Sequence, residues 1–143
     1  MRIGDVLKAK PSHDVVTISP DATVRELVAL LAEHNVGALI VSSDGSSVDG
    51  IVSERDVVRH LHRDAEILDG EVAAIMTAVV ETCDADSVLD DLMRVMTERR
   101  IRHVPVVADG GLIGIISIGD VVKHRIGQLE FERDQLDHYV HQT

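Results

Sequence analysis

Tryptophan is absent, and Phe131 and Tyr139 are the only Phe or Tyr residues in a chain of 143. That leaves no aromatic platform on which single-stranded RNA or DNA could stack its bases. Cys83 is the only cysteine, which excludes an intramolecular disulfide and any Cys-based zinc cluster and fits a reducing compartment. Positive charge is scarce: 14 Lys and Arg stand against 25 Asp and Glu, a net charge of −11. Such a chain repels nucleic acid and anionic membranes. No apolar run approaches the roughly 20 residues of a membrane span, and the opening Met1–Asp5 carries no apolar signal stretch. The expectation is a cytoplasmic protein with neither nucleic acid nor membrane as partner.

What is present is an ordinary globular composition, 45% hydrophobic and 27% charged. It suits one domain, or two very small ones that share a core. The chain also repeats itself. Shifted by 65, Val15, Thr17, Asp21, Leu27, Glu33 and Val41 meet identical residues at Val80, Thr82, Asp86, Leu92, Glu98 and Val106. Val24, Leu27, Val28 and Leu31 map onto Leu89, Leu92, Met93 and Met96, both sets spaced i, i+3, i+4, i+7 as one side of a helix. Thr23–Glu26 has the form of a capping box, and Ser87–Asp90 comes close to it. After one deletion, seven of 13 residues are identical between 48–60 and 112–124. Fixed-period similarity of this kind marks a duplicated structural unit.

Each copy reads as β-α-β-β-α. A strand (Val15–Ile18; Val79–Cys83) leads to a helix (Thr23–His34; Ser87–Arg99), then a strand (Ala38–Val41; Val104–Val107) and a turn (Ser43–Ser47; Asp109–Gly111). A third strand (Val48–Val52; Leu112–Ile116) runs into a helix beginning at Ser53 or Ser117. Two helices cover only one face of such a sheet, so two copies packed face to face bury both. The expected fold is mixed α+β with pseudo-two-fold symmetry: repeat 1 at 1–62, a linker at 63–71, repeat 2 at 72–126, and a C-terminal helical extension at 127–143. A short leading segment recurs as well, Val6-Leu7 and Ile75-Met76 standing at comparable places.

The order T-x-x-P-x-x-T-V, helix, G-A-L-I-V or R-H-V-P-V-V, then G-I-[VI]-S-x-x-D-V-V resembles the CBS domain. The resemblance covers both copies over residues 3–126, and so the chain is similar to a tandem CBS pair, or Bateman module. It departs modestly, with Ile40 against Pro105 and Pro20 against Ala85. The resemblance implies a regulatory module rather than an enzyme. Many such modules bind adenosine-containing ligands between the repeats and dimerise into flat discs, so it implies a homodimer acting on an effector protein of unknown identity.

The residues themselves allow such a site. Ser53 and Ser117 stand where a strand gives way to a helix, with Asp56 and Asp120 in the first turn, where a carboxylate can accept both vicinal hydroxyls of a ribose. S-x-x-D is equally a capping box that needs no ligand. Arg99, Arg100, Arg102 and His103 are the densest positive cluster, suited to phosphate oxygens or, equally, a solvated turn that offsets nearby acids. Following the family's pattern, one cleft combines Val15, Val16, Thr17, Gly37 and Ala38 with His103, Ser117 and Asp120. Its mate combines Val80, Thr82 and Arg102 with Ser53, Arg55 and Asp56. Glu81 beside a phosphate site is unfavourable, so the first cleft is preferred. The implied ligand is an adenine nucleotide (AMP, ADP or ATP), with no cofactor required.

Other features carry less. The eight histidines show no metal-ligand spacing, Cys83 suits an inert buried thiol, and neither serine has a placed general base. In the tail, Ile126, Leu129, Leu136 and Val140 follow a 3–4 spacing interrupted by Arg133, which fits a helix packed on its own module, a partner or nothing. The first rival to a nucleotide sensor is a ligand-free structural module whose function is dimerisation, and the second is a small hydrolase or metalloenzyme, which predicts a bound metal or turnover.

Overall fold

A computed structural model describes residues 1–11 and 15–141. The two apolar stripes become helices α2 (Val24–His34) and α4 (Leu89–Arg99), which bury Val24, Leu27 and Leu31, and Leu89, Leu92 and Met96. Both end on a left-handed residue, Asn35 at φ 52° and Arg100 at φ 55°. Asn tolerates that conformation better than Arg does. Their starts differ. Thr23 accepts the Glu26 N–H at 3.1 Å, whereas the expected cap at Ser87 does not form. Its hydroxyl bonds to Asp84 instead, leaving Val88 as an N-cap without a side-chain bond.

In the first repeat β1 (Thr17–Ile18) pairs parallel with β2 (Ala38–Val41), which pairs antiparallel with β3 (Gly50–Ser53). Val15 and Val16 precede β1 in irregular chain, so this strand is shorter than expected. In the second repeat β4 (His103–Ala108) pairs with β5 (Gly111–Ser117). The expected strand at Val79–Cys83 is not there: it shrinks to one parallel bridge between Cys83 and Val106. The rung that pairs Thr17 with Ile40 needs an N–H on residue 40. Pro105 stands at that place in the second repeat and has none. Val80 and Thr82 therefore lie in irregular chain. The turn at Ser43–Ser47 is organised by Asp44, whose Oδ1 accepts the N–H groups of Ser46 (2.8 Å) and Ser47 (2.7 Å). Those bonds hold its carboxyl well below the usual range.

Helix α3 (Glu54–Arg63) follows β3, and α5 (Ile118–Val140) follows β5. Both begin on complete reciprocal capping boxes, Ser53 with Asp56 and Ser117 with Asp120. The pseudo-two-fold relation is visible in equivalent bonds: Glu54 N–H to Gly37 O at 2.9 Å, and Ile118 N–H to Arg102 O at 2.8 Å.

Each repeat has its own core, and the cores exchange their leading segments. Helix α1 (Ile3–Ala9) opens the chain, yet Ile3 and Val6 belong to the core of the second repeat, with Leu89, Leu92, Met96, Val104, Val106 and Ile116. Val72 and Ile75 precede the second repeat, yet complete the core of the first. Ile3 N–H bonds to Ser87 O (2.9 Å) as Val72 N–H bonds to Ala22 O (2.8 Å). Gly4 N–H reaches Ala85 O (2.9 Å) as Ala73 N–H reaches Pro20 O (3.0 Å). The recurrence of Val6-Leu7 and Ile75-Met76 thus corresponds to equivalent packing, with Leu7 against Gly114 and Met76 against Gly50. The stretch expected as a linker is itself packed. α3 continues to Arg63, a 3-10 turn spans Ala65–Asp69, and Ile67 and Leu68 lie on the first core.

Candidate functional site

Strand β2 buries both of its faces. Leu39 and Val41 point into the first core, while Ala38 and Ile40, just as buried, lie on the opposite face. At the end of that face Gly37 sits between Glu54 and His103: a Cβ built on it would lie 3.5 Å from Glu54 Oε1 and 3.7 Å from the His103 ring. A residue of one repeat thereby meets a residue of the other. Here a cavity of about 590 Å³ opens, lined by Gly37, Ala38, Ile51, Ser53–Asp56, Val58, Arg59 and Thr77 from one side and by Arg100–His103 from the other.

The cavity draws on both clefts expected from the sequence. Ser53, Arg55, Asp56 and Arg102 of the second set line it, together with Gly37, Ala38 and His103 of the first. Val15, Val16, Thr17, Val80, Thr82, Ser117 and Asp120 do not. Asp56 Oδ2 accepts the Ser53 N–H at 2.8 Å and the Ser53 hydroxyl at 3.1 Å, and its Oδ1 receives no bond from any described residue. Asp120 is capped differently. Besides the Ser117 N–H at 2.9 Å, its Oδ2 accepts Lys10 Nζ at 3.1 Å, and Lys10 also bonds to Ile115 O at 2.9 Å. Burial alone would raise the Asp120 carboxyl, but the Ser117 N–H and Lys10 outweigh it and hold it below its ordinary value. His103 is depressed chiefly by burial, with Asp120 and Glu54 pulling it upward and Arg102 and Lys10 downward.

The preference for the first cleft rested on Glu81, and the structure removes that reason. Glu81 lies outside the cavity wall and pairs with Arg99 at 2.7 Å. Arg99 is thereby turned from the cavity, while Arg100, Arg102 and His103 of the same cluster line it. Sequence reasoning missed Ile51, Glu54, Val58, Arg59, Thr77 and Ile101. The i, i+4 spacing of Arg55 and Arg59 was the available signal, since it puts both on one side of α3. Four arginines thus border one cavity in a strongly acidic chain. The wall between them is aliphatic: Ala38, Ile51, Val58 and Ile101. Cys83 lies elsewhere, and burial and then Asp84 push its thiol up to about 11, which leaves it a poor nucleophile.

Comparison with known proteins agrees with this architecture. The family model for the CBS domain matches residues 3–63 and again residues 72–127. A CBS domain-containing protein of Arabidopsis thaliana, mitochondrial CBSX3, is 34% identical over 96% of this chain and 71% of its own. The crystal structure of the CBS-domain protein ATU1752 from Agrobacterium tumefaciens is 44% identical and superposes with a TM-score of 0.83 over 87% of this chain and 99% of its own. The CBS pair of protein MJ0100, solved with 5′-methylthioadenosine and S-adenosyl-L-methionine, is 25% identical, with a TM-score of 0.78 over 90% of this chain and 98% of its own. Two matched halves, related by a pseudo-two-fold and closed around a shared cavity, make this chain a member of the CBS-domain family, built as a tandem pair.

Proposed function

We propose that this CBS pair is a regulatory module that binds an adenine nucleotide in the cavity at Ser53–Asp56. One observation carries the reading: an N-cap carboxylate with one uncommitted oxygen stands in the same cavity as Arg55, Arg59, Arg100 and Arg102. A ribose diol donates to such a carboxylate, and guanidinium forks donate to phosphate oxygens. The purine lies between Ala38, Ile51, Val58 and Ile101, with dispersion and burial in place of aromatic stacking. The adenosine compounds bound by MJ0100 support the ligand class. No step of catalysis is involved. The output is linkage: a ligand that binds one arrangement of the two repeats better than another stabilises it by RT ln(1+[L]/Kd) and shifts the population. In this reading the protein is a cytoplasmic homodimer that passes the change to a separate effector protein.

Calorimetry and thermal melting with AMP, ADP, ATP, NAD and S-adenosylmethionine test it. The expected result is a raised melting temperature with at least one of them and loss of the effect in Arg102→Ala. A second reading, a ligand-free dimerisation module, draws on the fact that both S-x-x-D boxes are internally satisfied. It is favoured if none of the five ligands shifts the melting temperature.

A further inference from the structure

The duplication put an imidazole in one copy where the other has a methyl group. His103 pairs with Ser117 across β4 and β5 as Ala38 pairs with Ser53 across β2 and β3. Along β4, Val104 and Val106 point into the second core. Alternation turns His103 to the opposite face, the one that meets the first repeat. There its half-buried ring lines the cavity, with Gly37 between it and Glu54. Charged groups reach the ring from four elements: Asp120 of α5, Arg102 of β4 itself, Glu54 of α3 and Lys10 at the end of α1. Arg55, Asp56, Arg59 and Arg100 line the same cavity.

We infer that His103 makes this cavity a proton-coupled site: a nucleotide phosphate bound beside Arg102 is joined by a proton on the imidazole, so that acidification tightens binding. The inference rests on the reading of the cavity as a nucleotide site and adds the regulation of that site. In the protein without nucleotide, burial first, and then Arg102 and Lys10, outweigh the pull of Asp120 and Glu54. The ring is therefore neutral at pH 7. A phosphate among Arg100, Arg102 and His103 adds negative charge on the cavity side and reverses that balance. Among the described residues that line the cavity, only His103 has a side chain that ordinarily changes charge near neutrality. By linkage, a ring that holds its proton more firmly in the complex makes affinity climb as pH falls. Acid thus loosens the free protein and tightens the complex, two effects of opposite sign from one side chain.

Calorimetric titration of the full chain with AMP, ADP, ATP, NAD and S-adenosylmethionine, from about pH 8 to pH 6, tests the coupling. Wild type is compared with His103→Gln, so that titration of the ligand's own phosphate cancels. Affinity for a phosphate-bearing ligand should rise about five- to tenfold more in the wild type than in the variant, as expected for a charge added close to one ring. Paired buffers of different ionisation enthalpy should show proton uptake that the variant lacks. Should His103→Gln fail to fold, NMR titration of the wild-type His103 ring carries the same test, with nucleotide expected to raise its midpoint. Parallel pH profiles in the two proteins, or a midpoint unmoved by bound nucleotide, overturn the inference and leave the nucleotide site standing. Binding of S-adenosylmethionine alone also overturns it, because that ligand has no phosphate. Failure of all five to bind removes the nucleotide site itself, and the coupling with it.

Discussion

Lys10 places its ammonium 3.1 Å from Asp120 Oδ2, and so an internal cation occupies the N-cap acid of the second repeat. Asp56, the counterpart in the first repeat, faces an open cavity. Two sites that the duplication made alike are thereby made different by a residue more than a hundred positions away in the chain.

Asp56→Asn tests the ribose contact directly. The amide keeps one oxygen for the cap, so stability should fall by only about 1 kcal/mol. Nucleotide affinity measured by calorimetry should fall about tenfold or more, as expected for loss of a charge-assisted bond. Asp120→Asn should leave that affinity nearly unchanged. Equal effects of the two substitutions would remove the assignment of the site to Asp56.

Lys10→Met should free the Asp120 carboxylate at a cost of about 1 kcal/mol, since the pair is partly exposed. The expected change is in stoichiometry, from one nucleotide per chain to two. A titration that still ends at one equivalent would show that something other than Lys10 closes the second cleft.

The pH dependence of stability should carry the signature of His103. Its folded value lies below the ordinary 6.5, chiefly through burial. The unfolded chain therefore binds the proton more readily, and stability present above pH 6.5 is lost as pH falls. Asp120, also depressed, contributes stability above its ordinary 3.8 that is lost at lower pH still. Melting temperature should decline between pH 7 and 5 in the wild type and decline less in His103→Gln. Identical slopes would place the titrating group elsewhere.

The exchanged leading segments predict a crossed pattern of damage. Ile3→Ala removes a fully buried side chain from the core of the second repeat and should cost about 2–4 kcal/mol. Amide exchange should quicken first in β4 and β5, which are far from residue 3 in sequence. Val72→Ala should loosen β2 and β3 instead. Loss confined to the repeat that follows each residue in the chain would contradict the exchange.

Much of this was legible in the sequence because periodicity and capping are local. The stripes at Val24–Leu31 and Leu89–Met96, and the boxes at Ser53 and Ser117, needed only neighbouring residues to act. The missing strand before Cys83 was encoded by Pro105, but its effect appears only once the two segments are laid side by side. The ion pairs of Lys10 with Asp120 and Glu81 with Arg99 join distant or unpatterned positions through flexible side chains, and no spacing announces them. Those pairs, rather than the motif, decide which arginines and which acid face the cavity.

Because each half lends its opening segment to the other's core, the two are not beads on a string. A protease cut in the connector near Ala65 would leave two fragments that still complete one another, a complementation pair that stays together without a covalent link. Neither half expressed alone holds all the buried side chains its interior needs, so dissecting the protein at its apparent boundary would yield two incomplete pieces rather than two domains.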